Sequence, residues 1–253
     1  MGTDDLDPVA DDELFARALR EIGAEDEDTP LPCLMALHNR PTRHVFERAA
    51  RLLAGDKPEE RELGARVLRE LGRGDAEGRR PFTAETVEVV VAGMADEPDP
   101  WVLGWMISAL GHHGAEETLD LVLGHRAHAA QPVRFSVAAA LPCLADGERT
   151  QDRVVEALLA LAEDDSEAVR WYALYALFNE TAGVADEQKT AWATALTERG
   201  DTERRDQLHH LGTNLDDDAD PALRSALEQA RDAGSTVLAH HPAGNGGRSG
   251  GDA

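Results

Sequence analysis

The sequence predicts an all-α protein, a right-handed α-α superhelix of about five helix pairs with helical caps. Three observations predict it. Aromatic residues make up only 4% of the chain while Ala and Leu abound, a balance that favours helices, since strands draw on β-branched and aromatic side chains. One helical stretch recurs along the chain. Each copy follows another segment whose apolar residues also return at helical spacing.

The recurring stretch reads DPWVLGWMISALG at 99–111, QPVRFSVAAALP at 131–142 and EAVRWYALYALF at 167–178, aligned on Leu110, Leu141 and Leu177. Extending the alignment to Leu71-Gly72 and Leu211-Gly212 separates successive anchors by 39, 31, 36 and 34 residues. That is the length of a two-helix unit, with the unevenness left to the loops. Ala109, Ala140 and Ala176 are small enough to let neighbouring helices approach.

The elements follow in order. An N-terminal helix over Asp11 to Ile22 places Leu14, Phe15, Ala18, Leu19 and Ile22 on one face, with Asp11 or Asp12 as its cap and Gly23 as its end. Five first helices are built on Val45/Phe46/Ala49/Leu53, Val87/Val90/Val91/Met94, Leu119/Val122/Leu123, Val154/Leu158/Leu161 and Ala191/Trp192/Ala195. The second helices start at readable signals: Asp56 before Pro58 and Glu59, Asp99 before Pro100, then Ser166 and Asp201. Asp220-Pro221 opens a closing helix, Ala222 to Arg231. The expected organisation is an acidic N-terminal helical cap at 1–39, the solenoid at 40–215, a capping helix at 216–239 and a Gly-rich, disordered tail at 240–253.

The Asp/Ser-x-x-Val-Arg-x-x-Ala-x-x-Ala-Leu pattern resembles the short HEAT-like repeats of phycobilisome lyases and bacterial scaffolds. It is clearest at Val169, Arg170, Ala173, Ala176 and Leu177, and again at Val133, Arg134 and Leu141. The resemblance implies a HEAT/armadillo-like solenoid and a bacterial-type scaffold, and says less about function, because unrelated activities share such folds. Two enzyme-like relatives, bilin lyases and DNA glycosylases, stand as the alternative. Deoxyhypusine hydroxylases hold iron through His-Glu dipeptides, and none of the ten histidines here is followed by Glu.

Charge narrows the partners. The 49 acidic residues exceed the 25 basic ones, for a net charge of −24. Nucleic acid is therefore an unfavoured partner, since its affinity rests on neutralising phosphates. Cys33 and Cys143 form no CxxC pair, the N-terminus lacks a basic and apolar leader, and no apolar run spans a membrane. These features predict a monomeric cytoplasmic protein without membrane association. His112, His113, His125 and His128 lie close in sequence but on successive antiparallel helices, about 15–20 Å apart at 1.5 Å per residue. No metal site, cofactor motif or catalytic constellation is expected, and the histidines are read as solvated.

The expected partner is another protein, bound along the concave wall made by the second helices. With Val169, Ala173 and Leu177 inward, Tyr172, Tyr175 and Asn179 fall on the exposed stripe. The matching triplets are Arg66/Arg69/Arg73, Trp105/Ser108/His112, Ser136/Ala139/Cys143 and Asp206/His209/Thr213. Aromatic residues and Arg are what binding hot spots use, so this wall is the candidate partner-binding surface of a non-catalytic scaffold.

Overall fold

A computed structural model describes residues 6, 8–24, 30–76, 78–146, 151–215 and 219–234. The fold is all-α, and no strand occurs among the described residues. The chain divides into two compact units, Met1–Gly183 and Val184–Ala253. The tail at 240–253, expected to be disordered, lies outside the described residues.

The first unit opens with α1 (Asp11–Gly23), which buries Leu14, Phe15 and Ala18. Its N-cap is Ala10, without a side-chain cap. Asp11 and Asp12 sit instead inside the first turn, where carboxylates favour the helix dipole, and Asp11 pairs with Arg40 at 2.9 Å. The seven-residue α2 (Pro32–His38) starts at a proline, and its N-cap Leu31 makes no side-chain cap bond. Glu21, from the end of α1, takes that role by accepting from Cys33 N at 3.0 Å and Leu34 N at 3.2 Å.

Four helix pairs follow. The outer members are α3 (Arg43–Leu53), α5 (Thr83–Met94), α7 (Leu119–Gly124) and α9 (Gln151–Leu161). The inner members are α4 (Pro58–Glu70), α6 (Pro100–His112), α8 (Gln131–Ala140) and α10 (Glu167–Tyr175). The inner helices pack in succession, α4 on α6, α6 on α8 and α8 on α10. The expected anchors Val45, Phe46, Ala49 and Leu53 are buried in α3, as are Leu119, Val122 and Leu123 in α7.

Two glycines set the α6–α8 approach. A Cβ on Gly111 would meet Ala140 Cα and Cβ at 3.0 Å, and one on Gly104 would meet Ser136 Oγ at 2.9 Å. The backbone of α6 thus lies against α8 with no room for a side chain between them.

A second device joins the pairs, and it explains the Val-Arg signature. At the fourth position of α8, Arg134 donates from Nη1 to the carbonyls of His128 and Ala129, both at 3.0 Å, bracing the turn before its own helix. Its Nε and Nη2 grip Asp164 Oδ2 and Oδ1 at 2.6 and 2.7 Å. Asp164 in turn accepts from Ser166 N at 2.8 Å, at the N-cap of α10. In α4, Arg61 repeats the pattern: Nη1 bonds Gly55 O and Asp56 O at 3.2 and 2.9 Å, while Nε and Nη2 grip Glu97 at 2.8 Å. Glu97 accepts from Asp99 N at 2.9 Å. Arg170 braces its own turn likewise, on the carbonyls of Asp164 and Asp165. Only α6 breaks the series among these four, with buried Leu103 at the arginine position. The acid ahead of α8 is replaced there by His128, whose Nδ1 accepts from Ala130 N at 3.1 Å.

This ladder corrects the repeat register in α4. Aligning on Leu71 puts Gly64 where the arginine belongs, whereas the structure puts Arg61 there, so Leu68 is the true counterpart of Leu110. The caps need correction as well. Lys57, not Asp56, precedes α4, and neither Lys57 nor Ser166 makes a side-chain cap bond. Asp99 does cap α6, accepting from Trp101 N at 2.9 Å.

The second unit contains α11 (Asp186–Arg199), α12 (Thr202–Thr213) and α13 (Pro221–Glu228). Asp201 caps α12 and Asp220 caps α13. The buried face of α11 is Ala193, Leu196 and Thr197 rather than the expected Ala191, Trp192 and Ala195. Among the described residues, no helix is long and apolar enough to cross a membrane.

Candidate binding groove

The inner helices of the first unit enclose a groove of about 580 Å³. Its floor is the tight α6–α8 contact: Gly104 and Gly111 on one side, Ala139 and Ala140 on the other. Trp105 of α6, Phe135 of α8 and Tyr172 of α10 stand around it. Trp101 lies at the lip, 61% exposed.

Eight of the sequence-predicted residues come together here: Arg69, Trp105, Ser108, His112, Ser136, Ala139, Cys143 and Tyr172. Trp105 is held from the α4 side, with the guanidinium carbons of Arg66 and Arg69 at 4.5 and 5.5 Å from its ring centroid. Such cation–π contacts contribute about 0.5–2 kcal/mol each, depending on desolvation. Arg69 Nε donates to Ser108 Oγ at 2.9 Å, and Nη1 pairs with Glu70. Tyr172 meets Phe135 edge-on at 5.0 Å.

The remaining predicted residues lie elsewhere, each for a structural reason. Arg66 is only 7% exposed, beneath Trp105 and paired with Glu62 at 3.1 Å, so it supports the wall instead of presenting a free charge. Arg73 falls beyond the end of α4: Gly72 turns the chain with φ +76°, and Arg73 lines a separate hollow with Met35 and Arg80. Tyr175 is exposed and packs against the far edge of Tyr172 at 5.8 Å, outside the lining. Asn179 also misses it. After α10 the chain makes a wider π-type turn over Ala176–Glu180, closed by Thr181 N on Ala176 O at 2.9 Å. The extra residue in that turn shifts the stripe by one, so Glu180 lines the groove instead. Asp206 and His209 belong to the second unit, where Asp206 pairs with Arg231 at 3.0 Å and His209 Nδ1 donates to Glu228 O at 2.6 Å.

Sequence reasoning missed Phe135, Trp101 and Glu180. Phe135 precedes the predicted stripe position Ser136 by one residue, and only its size marked it out.

The titratable groups reflect this enclosure. Burial lowers the pKa of His112 to about 4, with Arg69 and Arg80 opposing protonation and Glu70 favouring it. His113 is lowered by burial as well, and bridges Leu68 O at 2.9 Å and Thr83 Oγ1 at 3.0 Å. These two rings are packed, which corrects the expectation of solvated histidines. Glu180 is exposed as a residue, yet burial of its carboxylate raises its pKa against the hydrogen bond from Tyr172. Burial also raises Tyr172 and Cys143, so both keep their protons at neutral pH. Among the described residues, no cluster of three or more His, Cys, Asp or Glu is arranged to hold a metal.

No family model and no curated protein matches the sequence. Similarity appears at the level of structure. YibA of Escherichia coli has a solved structure that superposes with a TM-score of 0.56 at 13% identity, covering 94% of this chain and 77% of YibA. The chain is also similar to the CpcE–CpcF complex of phycocyanin lyase from Nostoc sp. PCC7120, with a TM-score of 0.45 and 19% identity, covering 90% of this chain and 83% of that one. The likeness to YibA shows the helical-repeat fold and nothing finer.

Proposed function

We propose that this chain is a non-catalytic protein-interaction module whose inner-helix groove receives a segment of another protein. The observation that supports this most directly is the ring of Trp105, Phe135 and Tyr172, drawn from three successive inner helices around one glycine–alanine floor. Large rigid aromatic residues in a concave site are the composition of binding hot spots. Trp101 leaves much of its indole in solvent at the lip, as an anchor for a partner would.

The chemistry inside the groove favours binding over turnover. Cys143 is held as a thiol, Tyr172 as a phenol, and His112 as a neutral ring. A thiol in this state is a poor nucleophile, and the Glu180 carboxylate on the groove is engaged by the Tyr172 hydroxyl.

Site-specific photocrosslinking tests the reading. A benzoylphenylalanine at Ala168, exposed and lining the groove, should capture a protein partner that the same probe at Glu88, exposed on α5, does not. Capture from Glu88 alone, or a small molecule co-purifying in the groove, would overturn it.

A further inference from the structure

The groove is not electrically uniform, and its polarity runs against that of the whole molecule. At the end where α4 meets α6, Arg69 has spent Nε on Ser108 and Nη1 on Glu70. Its Nη2 makes no hydrogen bond among the described residues, and the residue lines the groove. Arg80 stands nearby with its donors on the carbonyls of Gly72, Glu70 and His112, and meets no carboxylate among the described residues. Arg69 and Arg80 therefore stand together beside one carboxylate, Glu70, which Arg69 already pairs. This end is positive in a protein of net charge −24. The low pKa of His112, to which Arg69 and Arg80 both contribute, agrees with that local field. Glu180 stands on the α10 wall, engaged by Tyr172.

We propose that the groove takes a peptide segment in which a bulky apolar side chain lies within two residues of an Asp or Glu. This rests on the groove being a protein-binding site. The apolar group lies on the Gly104/Gly111/Ala139 floor against Phe135 and Tyr172. The carboxylate accepts from Arg69 Nη2, and Ser108 fixes the guanidinium plane through Nε. A charge-assisted bond from a partly buried guanidinium is stronger than a neutral one, and a basic side chain at the same place is repelled. A nucleic-acid strand offers anions too, but each further phosphate meets an acidic molecule.

The test is selection from a random twelve-residue peptide display library on the full chain, with Ala139→Trp, which fills the floor, as counter-selection. Enriched peptides should carry Phe, Trp, Leu or Met with an acid within two residues. Synthetic versions labelled with a dye should lose at least fivefold in affinity when that acid becomes its amide. Arg69→Gln should erase the acid-over-amide difference while retaining the amide peptide's affinity, and Arg69→Lys should restore part of the difference if Arg69→Gln lowers the melting temperature. Groove-dependent peptides that lack the acid, or that prefer Lys, would overturn this inference and leave the protein-binding reading standing. Failure to enrich any groove-dependent peptide would overturn both.

Discussion

Arg134 holds Asp164 through two near-parallel hydrogen bonds, 2.6 Å from Nε and 2.7 Å from Nη2, and so ties α8 to the turn that starts α10. Both side chains are about nine-tenths buried. Removing one member of such a pair leaves an uncompensated charge inside. Arg134→Gln should therefore cost about 2–4 kcal/mol of unfolding free energy. Asp164→Asn, which keeps an oxygen for Ser166 N, should cost less. Urea unfolding followed by circular dichroism measures both; since both variants keep an acceptor for Ser166 N, equal costs would show that loss of the ion pair alone sets the penalty.

The missing rung is open to repair. Leu103 occupies the arginine position of α6, and His128 the position of the acid ahead of α8. Leu103→Arg alone should destabilise, because it buries a charge without a partner. With His128→Asp added, part of the loss should return, giving a favourable coupling of about 1–3 kcal/mol in a double-mutant cycle. A coupling near zero would mean that the α6–α8 geometry holds these two positions too far apart to pair.

Glycine positions separate contact from conformation. Gly111→Val places new carbon 3.0 Å from Ala140 Cα and Cβ, and should cost about 1–3 kcal/mol through overpacking. Gly23, the last residue of α1, has nothing within 4 Å of a built Cβ. Gly23→Ala should leave stability unchanged or raise it by up to about 1 kcal/mol. Comparing the two melting temperatures checks both.

The buried histidines give stability a pH slope of known sign. His112 titrates at about 4 in the fold and at 6.5 when unperturbed. Between these values the unfolded chain binds the proton more readily, so stability falls as pH drops from about 6.5 towards 4. His38 and His113 shift in the same direction, in each case chiefly through burial. One fully buried group contributes at most about 1.4 kcal/mol per pH unit; His112, partly open to the groove, contributes less. His112→Gln should flatten the curve of melting temperature between pH 6.5 and 4. An unchanged slope would place the effect on His38 and His113.

The helix pairs were legible because their signals are local. The apolar spacing of Val45, Phe46, Ala49 and Leu53 and the Asp99-Pro100 and Asp220-Pro221 starts need no tertiary knowledge. What was hidden depends on partners far along the chain. Glu21 caps α2 from another helix, so no capping side chain beside Pro32 announces that element. Arg61 belongs to the ladder because it meets Glu97, whereas the alignment on Leu71 saw only similar letters. The groove stripe was readable through Trp105, Ser108, His112, Ser136 and Tyr172, which keep α-helical spacing. It failed at Asn179, where a turn of different pitch intervenes, and at Arg73, where the helix had already ended.

The contact of Gly104 and Gly111 with α8 also bears on how the groove meets an occupant. A surface made of long side chains must give up rotamer freedom when it is covered, at roughly 0.5–1.5 kcal/mol for each one immobilised. Here the floor is backbone and methyl groups pressed together before anything arrives, and they have no rotamers to lose. The entropic cost of docking falls mainly on the incoming segment, so ligands already stiffened in the bound shape gain most.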